Sequence, residues 1–495
     1  MAALSNIDNY GYCDSITLLN KMNNIIKIEN QYSWFLSDNE SIKTILWKML
    51  RFRARNYFHN VRYKMKVWDG FDDFFKKDSG RFLTGLLPEV QMVLRTKEIE
   101  YTINDTREPF KWNIDKIDAS YLNEGPNPVT ELRDYQVDYV NYVLSNWRGL
   151  ITSPTASGKT NTMKAIIKAL PPKTPTLILG NKTSLAHANY EEVKSLGIDW
   201  VGRLYGKKKD PNYITCANIQ SAHLLKPLLP KIKVLIVDEV HEMMSKIPKR
   251  LYNSLKNCGI RVGMSATPFK FGGRDECQKF EVKGYFGPIF LTDSTESGKL
   301  TTKELIDREI LSTANCVFYH VNEPKLPYEI YLDAVTKGIA ENEHFHKLVV
   351  RLVKKLTGRT LIIVERLAHG DRLQELMPNA LWVRGKDDVE TRQVIIERLK
   401  NEDGDVVAIA TSGIFNTGIN VFCHNLINAA GGQADHQIIQ RFGRGLRRAK
   451  DKENLEYYDF MFNINDYLDK HSRKRVSILE KEGHKVTVLE KGIEP

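Results

Sequence analysis

The chain has 495 residues, too many for one ordinary hydrophobic core, and at about 150 residues per domain it should hold about three domains. Hydrophobic residues make up 42% and charged residues 27%, and no apolar run reaches the length of a membrane span, which excludes a helical membrane protein. The net charge of +11 allows a polyanionic partner. The six cysteines (Cys13, Cys216, Cys258, Cys277, Cys316 and Cys423) are too sparse for a disulfide framework and none share metal-ligand spacing, so a reducing cytoplasm is expected. The opening MAALSNIDNY has no basic segment followed by an apolar one, so no secretion signal is expected.

Residues 1–115 read as a first, small α+β unit. Between Ser41 and Lys66 lie eight basic residues and no acid, among them Arg51, Arg53, Arg55, Arg62, Lys64 and Lys66. Trp47, Phe52, Tyr57, Phe58 and Tyr63 are interleaved with them. Ile42, Ile45, Leu46, Met49 and Leu50 recur at helical spacing. Such a segment either pairs its cations with phosphates or solvates a basic face over an aromatic core. Asp69-Gly70 suits a hairpin turn, with Arg81–Leu86 as its return strand and Trp68 as a core residue. Residues 116–130, with Gly125, Pro126 and Pro128 in a polar run, read as a linker.

Residues 131–300 alternate strands and helices. Leu132-Arg133-Asp134-Tyr135-Gln136 leads a helix through Val137, Val140, Val143 and Leu144, and Gln136 carries both the donor and the acceptor needed to read an adenine edge. Next, an apolar run ending at Thr152 meets Ser153-Pro154-Thr155-Ala156-Ser157-Gly158-Lys159-Thr160, and a helical pattern follows. Strand, tight loop and helix in that order make a phosphate cradle at a helix N-terminus. In it Lys159 would reach the β- and γ-phosphates and Thr160 would hold magnesium, although Ser153 stands where the first glycine of the general pattern belongs. Val234–Val237 reads as a buried parallel strand ending in Asp238-Glu239-Val240-His241. Carboxylates there can orient a metal (Asp238) and polarise an attacking water (Glu239). A further strand ends in Ser265-Ala266-Thr267, whose hydroxyls can sense the nucleotide. Residues 271–287 read as a Gly- and charge-rich excursion, either facing nucleic acid or merely inserted.

Residues 301–495 form a second α/β unit. A basic amphipathic helix (346–356) precedes strands at 360–364, 381–383, 406–410 and 426–430, with a helix at 389–399. Arg444 and Arg447 are three apart and share a helix face, where they would either stabilise a transferring phosphoryl group or form a basic surface. A strand at 455–460 and a basic tail, 470–481, complete the pattern; the tail lies on nucleic acid or is a solvated end.

Taken in order, these segments resemble the superfamily 2 helicases. Gln136 fits the adenine-reading Q motif, Ser153 to Thr160 motif I, Asp238 to His241 motif II, Ser265 to Thr267 motif III, Thr417-Gly418 motif V and Gln440 to Arg447 motif VI. The resemblance implies an α/β fold of two tandem RecA-like (P-loop NTPase) domains preceded by a small α+β N-terminal DNA-binding domain. It implies ATP and Mg2+ as cofactors, with Arg133, Gln136, Thr155, Ala156, Ser157, Gly158, Lys159, Thr160 and Gly418 binding nucleotide and Thr160 and Asp238 the metal. Glu239 would be the catalytic base, Arg444 and Arg447 the arginine fingers, and Gln440 a further catalytic residue. Ser265, Thr267 and His241 would couple the ATP site to motion. Gly180-Asn181 and Asn420 depart from the usual motifs Ia and V.

Within the superfamily, the Leu-Arg-x-Tyr-Gln form, Arg62-Tyr63, Trp68-Asp69-Gly70 and Leu86-Leu87-Pro88 are similar to the UvsW-type branched-DNA helicases of tailed bacteriophages. That resemblance implies a monomer in the host cytoplasm acting on forks, four-way junctions and double-stranded DNA, with Arg51, Arg53, Arg55, Arg62, Lys64 and Lys66 as nucleic-acid contacts. An RNA helicase with the same core, a motor subunit working with a separate nuclease, and a binding module with a vestigial ATPase remain as alternatives.

Overall fold

The structure is a computed structural model and describes residues 24–123, 131–269, 275–295, 298–327, 330–384, 404–412, 423–432 and 454–493, with residues 387, 394, 397, 398 and 495. Three sheets organise it. The first has five strands in the order Phe75–Lys76, Arg81–Leu83, Tyr32–Leu36, Ile25–Ile28, Thr102–Asp105. Alternation places Ile26, Ile28 and Phe35 on its inner face, where Leu46 of the helix Glu40–Met49 and Val90 and Leu94 of the helix Leu87–Thr96 cover them. Asn39 caps the first of these helices through Ser41 N (3.0 Å), and Pro88 sits in the first turn of the second.

The turn at Asp69-Gly70 does not make the expected hairpin. The strand after it, Phe71–Asp73, pairs with Arg51–Arg53 in a separate ribbon, whereas Arg81–Leu83 pairs with Phe75–Lys76 and Tyr32–Leu36. The true reversal uses Gly80 at φ 67°, where a Cβ would lie 2.1 Å from the Phe35 carbonyl oxygen, so only glycine fits. Trp68 is half-buried, not a core residue; its indole N–H donates to Phe71 O (2.6 Å).

The second sheet has seven strands in the order Lys208–Asp210, Val201–Tyr205, Ile214–Asn218, Thr176–Gly180, Val234–Asp238, Ile260–Ser265, Arg148–Thr152. All but Lys208–Asp210 run parallel. The third sheet, also of seven, is parallel throughout: Leu381–Val383, Val407–Thr411, Thr360–Val364, Asn425–Asn428, Asn454–Phe462, Thr313–Val321, Lys485–Val488. Helices on both faces bury strands such as Val234–Asp238 on two sides, which is why they read as unbroken apolar runs. The architecture is two RecA-like α/β units preceded by a small α+β unit, as the motif order implied.

Four segments differ from expectation. Residues 275–287 are no excursion: Glu276–Phe286 is a helix wedged between the first two sheets. Val282 and Phe286, both fully buried, face the second sheet, while Phe280 packs on Phe52 (4.4 Å between ring centres) and Phe74 (5.6 Å) of the N-terminal unit. The basic tail is the helix Asp466–Lys481, and it is not a free end, because Leu468, His471, Ser472, Arg475, Ile478 and Leu479 are buried. The last strand, Lys485–Val488, has no signal beyond a short alternation of apolar and polar residues. Just before the Gly/Pro run, Ile117 and Leu122 are core residues, and Asn141 bonds both the N–H (2.8 Å) and the carbonyl (3.1 Å) of Ile117. Most of the helix expected at 389–399 and all of the stretch 124–130 lie outside the described residues. Among the described residues no helix is long and apolar enough to cross a membrane.

Candidate active site

Strand order brings three motifs to one edge. Ile260–Ser265 lies between Val234–Asp238 and Arg148–Thr152, so Ser265, Asp238 and the loop after Thr152 emerge together at the carboxyl ends of neighbouring parallel strands. Ser153 N donates to Ser265 O (3.1 Å), which joins the loop to the third motif.

The loop turns through two left-handed residues, Ala156 (φ 66°) and Gly158 (φ 86°), and Gly158 is the N-cap of the helix Lys159–Ala169. The φ of Gly158 favours glycine, and a Cβ there would stand 2.4 Å from Gln136 Nε2 and displace that amide. Ser153, where the general pattern has glycine, is buried and shares a hydroxyl–hydroxyl hydrogen bond with Ser157, closing the base of the loop. Lys159 Nζ donates to Ser153 O (3.0 Å) and Pro154 O (3.2 Å), so its ammonium lies within the loop. Thr155, Ala156 and Thr160 are half-buried around it.

The segment before the loop grips it from behind. Gln136 is 1% exposed; its amide donates to Ser157 O and Gly158 O (both 3.1 Å) and its oxygen accepts from Arg133 N (3.0 Å). Arg133 (3.1 Å) and the Tyr135 hydroxyl (2.8 Å) donate to the same Ser157 carbonyl. Gln136 therefore spends its donor and acceptor on protein backbone here, and presents no open edge to a base. Tyr135 is the member that the sequence did not single out, although it sits in the same string.

At the second motif, Asp238 Oδ1 accepts from Glu239 N (3.0 Å) and Glu239 adopts φ 53°, which turns its side chain toward Ser265. Burial and the adjacent Glu239 charge push the Asp238 carboxyl above its usual range, while Lys159 and the hydrogen bond from Glu239 N pull it down. Ser265, fully buried, donates to Glu239 Oε2 (3.4 Å) and accepts from Thr267 N (3.1 Å). His241 Nδ1 lies 2.9 Å from the same Ser265 oxygen and 3.4 Å from Glu239 Oε2. Glu239, His241, Ser265 and Thr267 thus form one continuous polar line. The oxygen donors of Asp238 and Thr160 suit a hard divalent cation such as magnesium. Gly418, Gln440, Arg444 and Arg447 lie outside the described residues.

The basic segment of the N-terminal unit is divided. Arg51 is held by Asp69 and Asp73 and lies over the rings of Trp47 (4.2 Å) and Phe71 (4.5 Å). Arg53 stacks on Tyr57 and Phe71 (both 4.6 Å) yet is exposed. Arg55, Arg62, Lys64 and Lys66 are exposed, alongside exposed Phe58, Val61, Met65 and Val67.

Residues 130–270 match the family model described as type III restriction enzyme, res subunit. The chain is 26% identical over 402 residues to the DNA 3'-5' translocase XPB2 of Sulfurisphaera tokodaii, covering 72% of this chain and 88% of that one. A fragment of an HsdR subunit of a type I restriction enzyme from Vibrio vulnificus YJ016 shares the fold at TM-score 0.53 and 20% identity, over 72% of this chain and 68% of that one. T4 UvsW aligns with 94% of this chain and 99% of its own at 19% identity and TM-score 0.46, too low to carry weight. In its motif order, its parallel sheets and these matches, the chain is similar to the superfamily 2 helicases, which are ATP hydrolases.

Proposed function

We propose that the chain is an ATP-driven DNA helicase or translocase that remodels forks and four-way junctions by branch migration, in the replication, recombination or repair of a tailed phage. The observation that carries the motor reading is the meeting of three motifs at Ser265, whose carbonyl holds the Ser153–Thr160 loop and whose hydroxyl contacts Glu239 and His241. Lys159 and the loop amides would hold the phosphates of ATP, with the Gln136–Arg133–Tyr135 grip fixing the loop's shape. Glu239 would accept the proton of the attacking water, and Ser265, bonded to Glu239, would pass its state to His241 and Thr267. Magnesium, held by Thr160 and Asp238, would supply charge neutralisation at the phosphates. Arg444 and Arg447 would donate to the γ-phosphate from the second unit, and closing and opening the two units would move the protein along a phosphate backbone.

DNA is favoured over RNA by the relative that acts as a DNA translocase. Branched DNA is favoured by the exposed basic residues Arg53, Arg55, Arg62, Lys64 and Lys66, interleaved with exposed apolar side chains suited to unpaired bases. The test is steady-state ATPase with single-stranded, duplex and branched DNA and with RNA. Branched DNA should stimulate most, and Asp238→Ala should abolish hydrolysis. Stimulation by RNA alone would overturn the substrate assignment, and appreciable hydrolysis by Asp238→Ala would overturn the site.

A further inference from the structure

The N-terminal unit holds an open groove of about 800 Å³ that shares no residue with the ATP loop. It is lined from the turn Tyr57–His59, the end of the short helix Val61–Lys64 and the residues that follow. Phe58, Tyr63 and Trp68 bring three aromatic rings to it. Phe58 is 50% exposed and Val67, also in the lining, is 65% exposed. Exposed Val61 and Met65 lie in the same stretch. Clustered exposed apolar side chains on a folded chain mark a contact surface. The rings are held in place. Tyr57 meets Phe58 (5.6 Å between ring centres) and Tyr63 (4.7 Å) edge-on, and the Trp68 indole is bonded to Phe71 O.

The groove is cationic as well as aromatic. Lys64 and Lys66 line it, both exposed, and neither forms an ion pair among the described residues. Asp69, the acid in the lining, is bound to Arg51 and accepts from Phe71 N (3.1 Å), so its charge is already engaged. The backbone that carries the lysines is tied down. Lys66 N donates to Tyr63 O and Val67 N to Arg62 O (both 2.9 Å), the paired bonds of a Schellman turn. Such a turn needs one left-handed residue, usually glycine, yet here that residue is Lys66 at φ 57°. Strained backbone of this kind gathers where a ligand is clamped, and here it keeps a cation in the groove where glycine would fold more easily.

An unpaired nucleotide carries both halves of the matching chemistry. Its base is flat and stacks on an aromatic ring whatever the sequence, and its phosphates pair with lysines. A blunt duplex offers the phosphates but keeps its bases in the stack. We propose that this groove binds an unpaired nucleotide of single-stranded DNA, with the base on the Phe58 ring and the neighbouring phosphates on Lys64 and Lys66. The N-terminal unit thereby recognises the single-stranded side of a fork. This rests on reading DNA as the partner of the N-terminal unit.

The test is equilibrium binding of the full chain, without ATP, to fluorescein-labelled DNA: a fork with unpaired thymidine arms, the same fork with abasic arms, and a blunt duplex. The parent should bind the thymidine fork about 5- to 150-fold more tightly than the abasic fork, the factor that stacking one base on an aromatic ring supplies. Phe58→Ala should lose that factor, bind both forks alike, and hold the duplex within about twofold of the parent. Phe58→Trp should restore the preference. The slope of log affinity for the thymidine fork against log salt should not change in Phe58→Ala and should fall by about 0.7 in Lys64→Ala or Lys66→Ala. Should Phe58→Ala fail to fold, Phe58→Leu keeps apolar bulk without the ring and should lose the same preference, and the parent's own comparison of the two forks still decides. Equal binding of both forks by the parent overturns the proposal. So does a Phe58→Ala protein that keeps the preference, or one that loses as much affinity for the duplex as for the thymidine fork. Remodelling of a four-way junction is read separately. If the parent remodels the junction but binds both forks alike, the motor reading stands and the groove assignment falls. If it prefers the thymidine fork through Phe58 but remodels nothing, the groove assignment stands and the motor reading falls.

Discussion

The contact between the N-terminal unit and the ATPase core can be broken with one methyl group. Gly85 is buried in the turn Thr84–Leu86, against the backbone of the helix Glu276–Phe286. A Cβ there would lie 2.1 Å from Lys283 O, 2.6 Å from Gly284 O and 2.8 Å from Gly287 N. Separations below 3.0 Å are not tolerated, so Gly85→Ala must push the helix and the turn apart by about 0.9 Å. The helix cannot yield cheaply, because Val282 and Phe286 on its far side are fully buried against the second sheet. Nor can the turn, because Leu83 already packs where a Gly284 Cβ would be, at 2.7 Å. Overpacking costs about 1–3 kcal/mol, and backbone on both sides puts this case near the upper end. At about 2–4 °C per kcal/mol for a unit of this size, the melting temperature should fall by about 6–12 °C. Thermal unfolding by circular dichroism, with limited proteolysis of the N-terminal unit, reads this directly. Basal ATPase at 25 °C should persist, because the carboxyl edge of the second sheet is not touched. A melting temperature within about 1 °C of the parent would refute the geometry.

Two further outcomes follow from charge. Burial pushes His369 down to about 3 and His484 to about 4, lowers His346, and with the charges of Arg475, Lys474 and Lys470 takes His471 to about 4. The unfolded chain, with histidines near 6.5, then binds more protons than the folded one. Stability is full above about pH 6.5 and falls progressively toward pH 4, so the urea midpoint should drop over that window and drop less in His369→Leu. An equal drop in that variant would show that His369 takes no part. If the exposed basic face pairs with phosphates, Arg62→Ala, Lys64→Ala and Lys66→Ala should each reduce the slope of log affinity for duplex DNA against log salt by about 0.9. Unchanged slopes would make these residues solvating only.

How much was legible depended on whether a signal was local. The phosphate loop, Asp238-Glu239 and Ser265 were readable because each is a short string at a strand end, and strand order then brought them together. The roles of neighbours were harder to see. Gln136 was expected at a base edge, but the left-handed turn at Gly158 exposes two carbonyls that its amide satisfies. The helix Glu276–Phe286 was missed because its apolar residues face two different partners, so no single stripe marks it. The tail misled for the opposite reason: its arginines suggest a solvated face, yet Arg475 is buried on Asp459, 16 positions away in sequence. Arg51, grouped with the other cations, is bound to acids contributed by the Asp69–Asp73 stretch, a pairing that only the ribbon register brings about.

The most direct measurement is ATP-dependent remodelling of a synthetic movable four-way junction, run beside a tailed DNA duplex and an RNA duplex, with Lys159→Ala as control. A branched-DNA motor should resolve the junction far faster than either duplex, and the Lys159→Ala protein should resolve nothing. Unwinding of RNA alone, or ATP hydrolysis with no remodelling of any substrate, would contradict it.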